Sequence, residues 1–570
     1  MFGYSALLKG YGMTFTSEGT SGRVIQGDGY LCYNNMIEKF KDDKIFFENE
    51  NYVIILDGVV LNKKQLLTNR EGGKNLINEW TAYIVSQYEN AGPVFFDSLR
   101  GSFSGLLYDK RKDLFISFTD HLGTKFIYYV KSNGVLFVSS MISECYAFLK
   151  QNNISYTLSK ENAYLLLTYG YMLEGRTLCD KIHKIEPGCY LTFQNGTVEQ
   201  HQYCLLNNTP NRTLSESEAL EIYDEEFRRA IKLQFDKDEE YGYKHLVALS
   251  AGLDSRMVSW VAHDMGYTRQ LNATFSQSDY WDEIVPQQIA SDLNHDWLFK
   301  ALDGGWWLEN VDDITKITGG NVTYYTVAHS TSLTSLINYN DLGLIHSGQL
   351  GDVVFGTHSH YVPYKLGKGA YSEGFLDKLN NIQFQDYPNE EIGLFYTRYL
   401  NGTNNGIINN FNNTEFISPW HDIDLLRNVL AIPLEMRFNH NLYFKWILKK
   451  YPKAENYVWE KMGTRFNRKL GMIPFSGHKV PIEQIPLKIM GRLGLVKRGT
   501  DGRQNMNPYG YYIKTNKELK LWIDNYINNT IDLIEDKEIT VDINRIISSD
   551  NSLEKIQALS LLSAIKLYFA

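Results

Sequence analysis

The sequence predicts a two-domain protein whose halves are built differently. Residues 1–205 read as an antiparallel β half. Residues 217–570 read as an α/β half with a doubly wound parallel sheet and a helical extension. Three observations predict this. Short β-type runs separated by turn signals fill the first half, helices and strands alternate after residue 217, and 570 residues exceed what one core organises.

In the first half, Tyr52–Leu56, Gly105–Tyr108, Leu114–Ser117 and Val135–Val138 read as strands, being rich in β-branched and aromatic residues. Asp57-Gly58, Asp109-Lys110, Asn133-Gly134, Pro187-Gly188 and Asn195-Gly196 read as the turns between strands, because their residues tolerate turn backbones. Few helices are expected there. Asn207–Ser215 is polar, turn-rich and nearly uncharged, so 206–216 is read as the linker.

The second half opens with a helix over about 217–232, followed by a strand at 245–249 and a helix at 256–265. A strand at 271–275, a helix at 282–293 and strands at 297–299 and 342–345 follow. In such sheets ligands bind beyond the carboxyl ends of the strands. The loops 250–255, 274–279 and 347–352 are therefore expected to meet at one site. From about residue 390 the pattern is mostly helical, and the Gly-, Asn- and Tyr-rich stretch 357–415 is expected to cover that site. Ile556–Phe569, an apolar run broken by Lys566, reads as a docked terminal helix.

The segment His245–Arg256 carries the most chemical information. Four apolar residues, Leu246–Leu249, run into a turn holding Ser250, Gly252, Asp254 and Ser255, and a helix follows. A strand that breaks into a helix through such a turn points backbone N–H groups at whatever docks there, which suits phosphate. No Gly-x-x-x-x-Gly-Lys-Ser/Thr occurs, so the P-loop of kinases and GTPases is excluded. His346, His358 and His360 fit no tetrahedral metal spacing and read as loop histidines.

The Ser-x-Gly-x-Asp-Ser turn resembles the pyrophosphate loop of ATP-pyrophosphatase enzymes, and the two halves together resemble the asparagine synthetase family. In the first half the resemblance rests on Asp57–Asn62, Leu99–Asp109, Thr119–Lys125 with Tyr128-Tyr129, Thr177-Leu178 and Glu186–Gly188. It implies an N-terminal-nucleophile glutaminase fold, an antiparallel β-sandwich layered with helices. In that family the cysteine after the initiator Met attacks glutamine. Phe2 stands there, and a phenyl ring supplies no thiolate. The resemblance thus implies the fold without glutamine hydrolysis.

In the second half the resemblance implies an adenine nucleotide alpha hydrolase-like sheet that binds ATP and Mg²⁺. Leu249, Ser250, Gly252, Asp254 and Ser255 correspond to the ATP signature, with Ala251 where the family has Gly. Thr274, Phe275 and Ser276 resemble the segment bordering adenine and ribose. Asp282-Glu283 matches an acidic pair that opens the next helix, though both also suit a first helical turn. Ser347-Gly348-Gln349-Leu350-Gly351-Asp352-Val353 departs from Ser-Gly-Glu-Gly-x-Asp-Glu. Gly348 and Asp352 keep their places, and Asp352 would join Asp254 as a second magnesium ligand, since hard Mg²⁺ takes carboxylate oxygens. Gln349 replaces a glutamate near the amine, and an amide accepts no proton at physiological pH. Lys461 resembles a lysine that neutralises the adenylate and pyrophosphate. Lys445 also sits where the family keeps a lysine. Pro419–Asp422 reads as a structural corner.

The net charge of −9 argues against nucleic-acid partners. Five cysteines without a Cys-x-x-Cys pair read as buried thiols of a reducing compartment. No run of ~20 apolar residues crosses a membrane, and no secretory leader is read at the start, so a cytoplasmic location is expected. A homodimer is one assembly the sequence allows. The expected function is an ATP-dependent amide ligase forming AMP and pyrophosphate, joining a small carboxylate to ammonia or another amine. The competing readings are a different ATP-pyrophosphatase, such as a tRNA-modifying or sulfur-transfer enzyme, and a non-catalytic nucleotide-binding relative with a regulatory or scaffold role.

Overall fold

The computed structural model describes residues 3–9, 12–17, 22–68, 76–210, 213–355, 362–365, 367–467, 472–475, 478–481, 485 and 499–570. Phe2, His358 and His360, on which expectations above rest, lie outside the described residues.

Twelve strands in the first half form two antiparallel sheets. They are β1 (Gly3–Leu8), β2 (Arg23–Gly27), β3 (Tyr30–Asn35), β4 (Ile45–Glu48), β5 (Tyr52–Val60) and β6 (Gly101–Asp109). Next come β7 (Leu114–Thr119), β8 (Tyr128–Ser132), β9 (Val135–Ser139), β10 (His183–Lys184), β11 (Cys189–Gln194) and β12 (Thr197–Gln202). One sheet runs β10-β8-β9-β1-β3-β2, the other β12-β11-β7-β6-β5-β4. Strand alternation makes the layers. Val53 and Ile55 of β5 face Ala6, Leu8 and Val138 of the opposite sheet, while Ile54 and Leu56 face Trp80, Ile84 and Tyr88 of the helix Leu76–Ala91. The helices Ile142–Gln151 and Lys160–Tyr169 cover the outer face of the other sheet through Phe148, Leu149 and Leu165. The first half is thus a sandwich between helices.

One expected turn is not a turn. Asp57 and Gly58 lie inside β5, paired with Ser104 and Phe103. Gly58 has φ +114, and a Cβ there would meet the Ser102 carbonyl oxygen at 2.2 Å. Glycine here serves close strand approach, and Asp57 is buried against two lysines. The Asn133-Gly134 and Asn195-Gly196 turns do form, with positive φ at both residues of each.

The helix Glu216–Glu240 opens the second half with a capping box between Ser215 and Glu218. It outruns its predicted end because Gln234, Phe235, Lys237 and Asp238 are buried. Behind it lies a parallel sheet of order β15-β14-β13-β16-β17. Its strands are β13 (Lys244–Ala248), β14 (Gln270–Ser276), β15 (Asp296–Ala301), β16 (Leu342–His346) and β17 (Phe416–Ile417). The helix Leu253–Asp264 packs with Glu216–Glu240 on one face through Met257, Val261, Phe227 and Ile231. The opposite face carries Leu333 of the helix Tyr325–Thr334 and Ile407 of the helical run 395–412. The chain ends in the helix Ser552–Ala564 and its extension through Phe569, docked in the core.

The five cysteines are buried and unbridged. Among the described residues no helix is long and apolar enough to cross a membrane. His346 is not a loop histidine: it ends β16, fully buried, and its Nε2 lies 2.7 Å from Asp238 Oδ2. His245 shares the same oxygen at 2.9 Å. Pro419–His421 is a helical turn, and Asp422 caps the helix Ile423–Leu430 while binding Arg229 at 2.6 Å, as a structural corner should.

Candidate functional site

The turn after β13 folds on its own side chains. Ser255 Oγ accepts from the Ser250 N–H at 3.0 Å and lies 2.8 Å from Ser250 Oγ, which in turn accepts from the Gly252 N–H at 3.2 Å. Two outside residues pin it. Asp282 Oδ1 accepts from the Ala251 N–H at 2.7 Å, and the Arg256 guanidinium donates to the Ala251 carbonyl at 3.0 Å. Ala251 does not take a positive φ, as its methyl requires.

The loop after β16 then closes onto this turn. A Cβ on Gly348 would meet the Ser255 nitrogen at 2.2 Å, and one on Gly351 would meet Asp254 Cγ at 2.4 Å, so only glycine allows the approach. The Asp352 N–H donates to Asp254 Oδ2 at 3.0 Å. Lys461 Nζ lies 3.5 Å from Asp352 Oδ2, about half exposed. Asp254, Asp352 and Lys461 are therefore brought together.

The electrostatics of this cluster are unbalanced. Burial raises the Asp254 carboxyl well above the usual carboxylate range, and neighbouring Asp352 raises it further. Burial also raises Glu460. It pushes Asp282 up to about 7, with Glu460 adding to the effect. The Arg256 guanidinium donates to the carbonyls of Ala251, Ala454, Tyr457 and Val458, and its charge offsets only part of the effect of burial on Glu460.

The third loop joins only by its base. Thr274 Oγ1 donates to the Leu249 carbonyl at 2.9 Å, and the Leu249 N–H donates to Ala273, so Leu249 and Thr274 serve the strand ends. Ser276 donates to the Gln277 carbonyl, and the tip turns away, Ser278 bonding Asp303. Phe275 instead lines a cavity of about 360 Å³ over the β13–β16 strand ends, together with Ser347 and Gln349. Within the stretch expected to cover the site, Gly402, Thr403, Gly406, Ile407 and Asn410 form part of its wall.

Lys445 is not part of the site. It lies on the helix Asn441–Lys450 and pairs with Glu216, because Tyr443, Trp446 and Ile447 occupy that helix's buried face. Gln349 is placed beside the site rather than in the carboxylate cluster: its Nε2 donates to the Thr403 carbonyl at 3.2 Å. Sequence reasoning gave Arg256 and Glu460 no role. Their signal was adjacency alone, Arg256 closing the turn and Glu460 preceding Lys461. Glu283 accepts from the Asp279 N–H at the start of its own helix, whereas Asp282 serves the turn.

A glutamine amidotransferase domain model matches residues 41–204. Asparagine synthetase B of Escherichia coli, described as glutamine-hydrolyzing, is 23% identical over 58% of this chain and 56% of its own length. A putative asparagine synthetase of Methanocaldococcus jannaschii is 24% identical over 57% of this chain and 62% of its own. The chain is thus similar to asparagine synthetases, at low identity. An amidase of Penicillium rubens is also similar, 26% identical over 32% of this chain and 26% of that protein. The matches thus span from 26% to 62% of these relatives' own lengths. A solved glutamine phosphoribosylpyrophosphate amidotransferase of B. subtilis aligns over 75% of this chain and 86% of its own, at 10% identity and a TM-score of 0.23. The amidotransferase match falls on the part of the sandwich from β4 onward, ending in the coil just after β12.

Proposed function

We propose that the protein is an ATP-dependent amide ligase that forms AMP and pyrophosphate. A substrate carboxylate attacks the α-phosphate of ATP, pyrophosphate leaves, and ammonia or another amine attacks the acyl-adenylate. The observation that carries this reading is the convergence of Asp254, Asp352 and Lys461 beyond β13 and β16. Crowded carboxyls with one lysine suit a divalent cation, because burial and the neighbouring Asp352 raise the proton affinity of Asp254 until a cation relieves it. Asp254 and Asp352 would hold Mg²⁺, whose chemistry is to neutralise the leaving pyrophosphate. Lys461 would steady negative charge on the phosphates, and the Ser250–Ser255 turn would seat them.

With Phe2 in the nucleophile's place, the first half supplies no glutamyl thioester, so the amine comes free in solution or on a substrate. A cytoplasmic location and a homodimer are part of the same proposal. The test is pyrophosphate release from ATP and Mg²⁺ across a panel of carboxylates and amines, with glutamate release from glutamine followed in parallel. Pyrophosphate should appear without glutamate above background. Asp254→Asn, Asp352→Asn and Lys461→Ala should each lower the rate about a hundredfold or more while circular dichroism is unchanged. Full activity in Asp352→Asn would sink the reading.

A further inference from the structure

Away from the carboxylate cluster, three buried side chains from distant parts of the chain converge on one point. Asp238 lies in the last turn of the helix Glu216–Glu240, His245 near the start of β13 and His346 at the end of β16. Asp238 Oδ2 is 2.9 Å from His245 Nδ1 and 2.7 Å from His346 Nε2. One ligand atom from each residue lies within 4.8 Å of the other two. The histidines stand 7 and 108 residues from Asp238, so no short spacing marks the set in the sequence. The local build favours the meeting. A Cβ on Gly343 would meet Asp238 Oδ1 at 2.0 Å, so glycine lets the carboxylate reach the strand, where the Leu344 N–H donates to Oδ1 at 2.8 Å. The Phe235 ring stacks on His346 at 3.8 Å between centroids and lies 4.7 Å from His245, so an apolar wall holds both imidazoles.

Hydrogen bonding alone leaves this centre short of positive charge. Two neutral imidazoles can each donate to Asp238, yet the carboxylate keeps its charge in a fully buried place. Among the described residues no lysine or arginine pairs with it, and Lys39 donates to the Asn340 and Leu342 carbonyls instead. A cation seated between the three would supply that charge. Two imidazole nitrogens and one carboxylate oxygen suit Zn²⁺, whereas Mg²⁺ prefers oxygen alone. With ligands ~2.0–2.1 Å from the metal, tetrahedral angles put neighbouring ligand atoms about 3.3 Å apart. The separations seen here need to open by only about half an ångström.

We propose that Asp238, His245 and His346 bind Zn²⁺, which staples the helix Glu216–Glu240 to β13 and β16. The site shares no residue with the Asp254–Asp352 cluster, and it does not depend on the ligase reading. It fixes the strand end that leads directly into the loop carrying Asp352. Three protein ligands are one fewer than a closed structural site has, so a strong chelator should strip the metal from the chain.

Untagged full-length protein, purified without chelator from zinc-supplemented cells, should carry about one zinc per chain by elemental mass spectrometry. After stripping, Zn²⁺ at about a hundredfold excess over its Kd should raise the melting temperature by at least about 3 °C. Asp254→Asn breaks the carboxylate cluster and should keep both the zinc and the shift. His245→Gln and His346→Gln each retain an N–H for Asp238, and each should weaken zinc binding at least about tenfold in competition with a chromophoric chelator. If either variant fails to fold, the parent and Asp254→Asn still decide the matter. A zinc-free parent whose melting temperature Zn²⁺ leaves unchanged would overturn the proposal. So would a zinc response that survives in both histidine variants, or one that disappears in Asp254→Asn.

Discussion

Two clusters of buried charge in this molecule are built in opposite ways. Where the sandwich meets the parallel sheet, Lys44, Lys125, Asp57 and Glu415 form a closed quartet, each acid within 3.2 Å of both lysines. Its charges cancel. Burial alone would raise Asp57, but Lys125 and Lys44 outweigh it and hold the carboxyl down to about 2. Burial likewise pulls on Lys125, yet Asp57 and Glu415 raise it to about 12. Around the Ser250–Ser255 turn the acids Asp254, Asp352, Glu460 and Asp282 face one lysine, and the shifted carboxyls move the other way. A balanced cluster holds the fold together unaided, whereas an unbalanced one is completed by what it binds.

The largest effect should come from unbalancing the quartet. Lys125→Met leaves two buried acids with one cation and should cost about 3–5 kcal/mol in urea unfolding. Adding Asp57→Asn restores neutrality and should return part of that loss. A double variant no more stable than Lys125→Met would break the comparison.

A smaller effect separates the clusters by the sign of their pH dependence. Asp57, held below its ordinary 3.8, stabilises the fold above that value and loses this as pH falls toward about 2. Asp282 is raised from 3.8 to about 7, so it favours the fold while protonated and weighs against it as pH rises through that window. Asp282→Asn keeps an oxygen for the Ala251 N–H. Its melting temperature relative to the parent should climb between about pH 4 and pH 7. A flat difference would show that Asp282 is not strained in this way.

The smallest effect belongs to Lys445, whose pair with Glu216 lies at the surface. Lys445→Ala should change stability by less than about 1 kcal/mol and leave pyrophosphate release intact. A large loss of activity would return Lys445 to the site.

Much of the fold was legible because its signals are local. Runs of β-branched and aromatic residues marked β5, β6, β7 and β9, and the strand–turn–helix texture marked β13 to β16, whose boundaries fall within about two residues of those read. The Asp57-Gly58 misreading shows the limit of local chemistry. A dipeptide that suits a turn also suits a strand whose neighbour crowds it and whose partners are distant lysines. The convergence of Asp254 with Asp352 followed from strand order, which alternation alone implies. Arg256 and Glu460 carry no such pattern, since what they touch lies about two hundred residues away or is reached only through burial. Lys445 and Lys461 look alike in sequence; which way a helix turns its apolar face decided between them.

Glu415 has a reach beyond the quartet. It directly precedes β17, whose Phe416 forms part of the cavity wall, and its carbonyl accepts from the Ile345 N–H at 2.9 Å. The first half thus acts as a keystone for a chamber that none of its described residues lines. Excising residues before 216 would strand Glu415 in a dry socket with no cation and loosen the edge strand that shapes the cavity. Anyone cutting this protein into parts for study would do better to mutate the sandwich than to remove it.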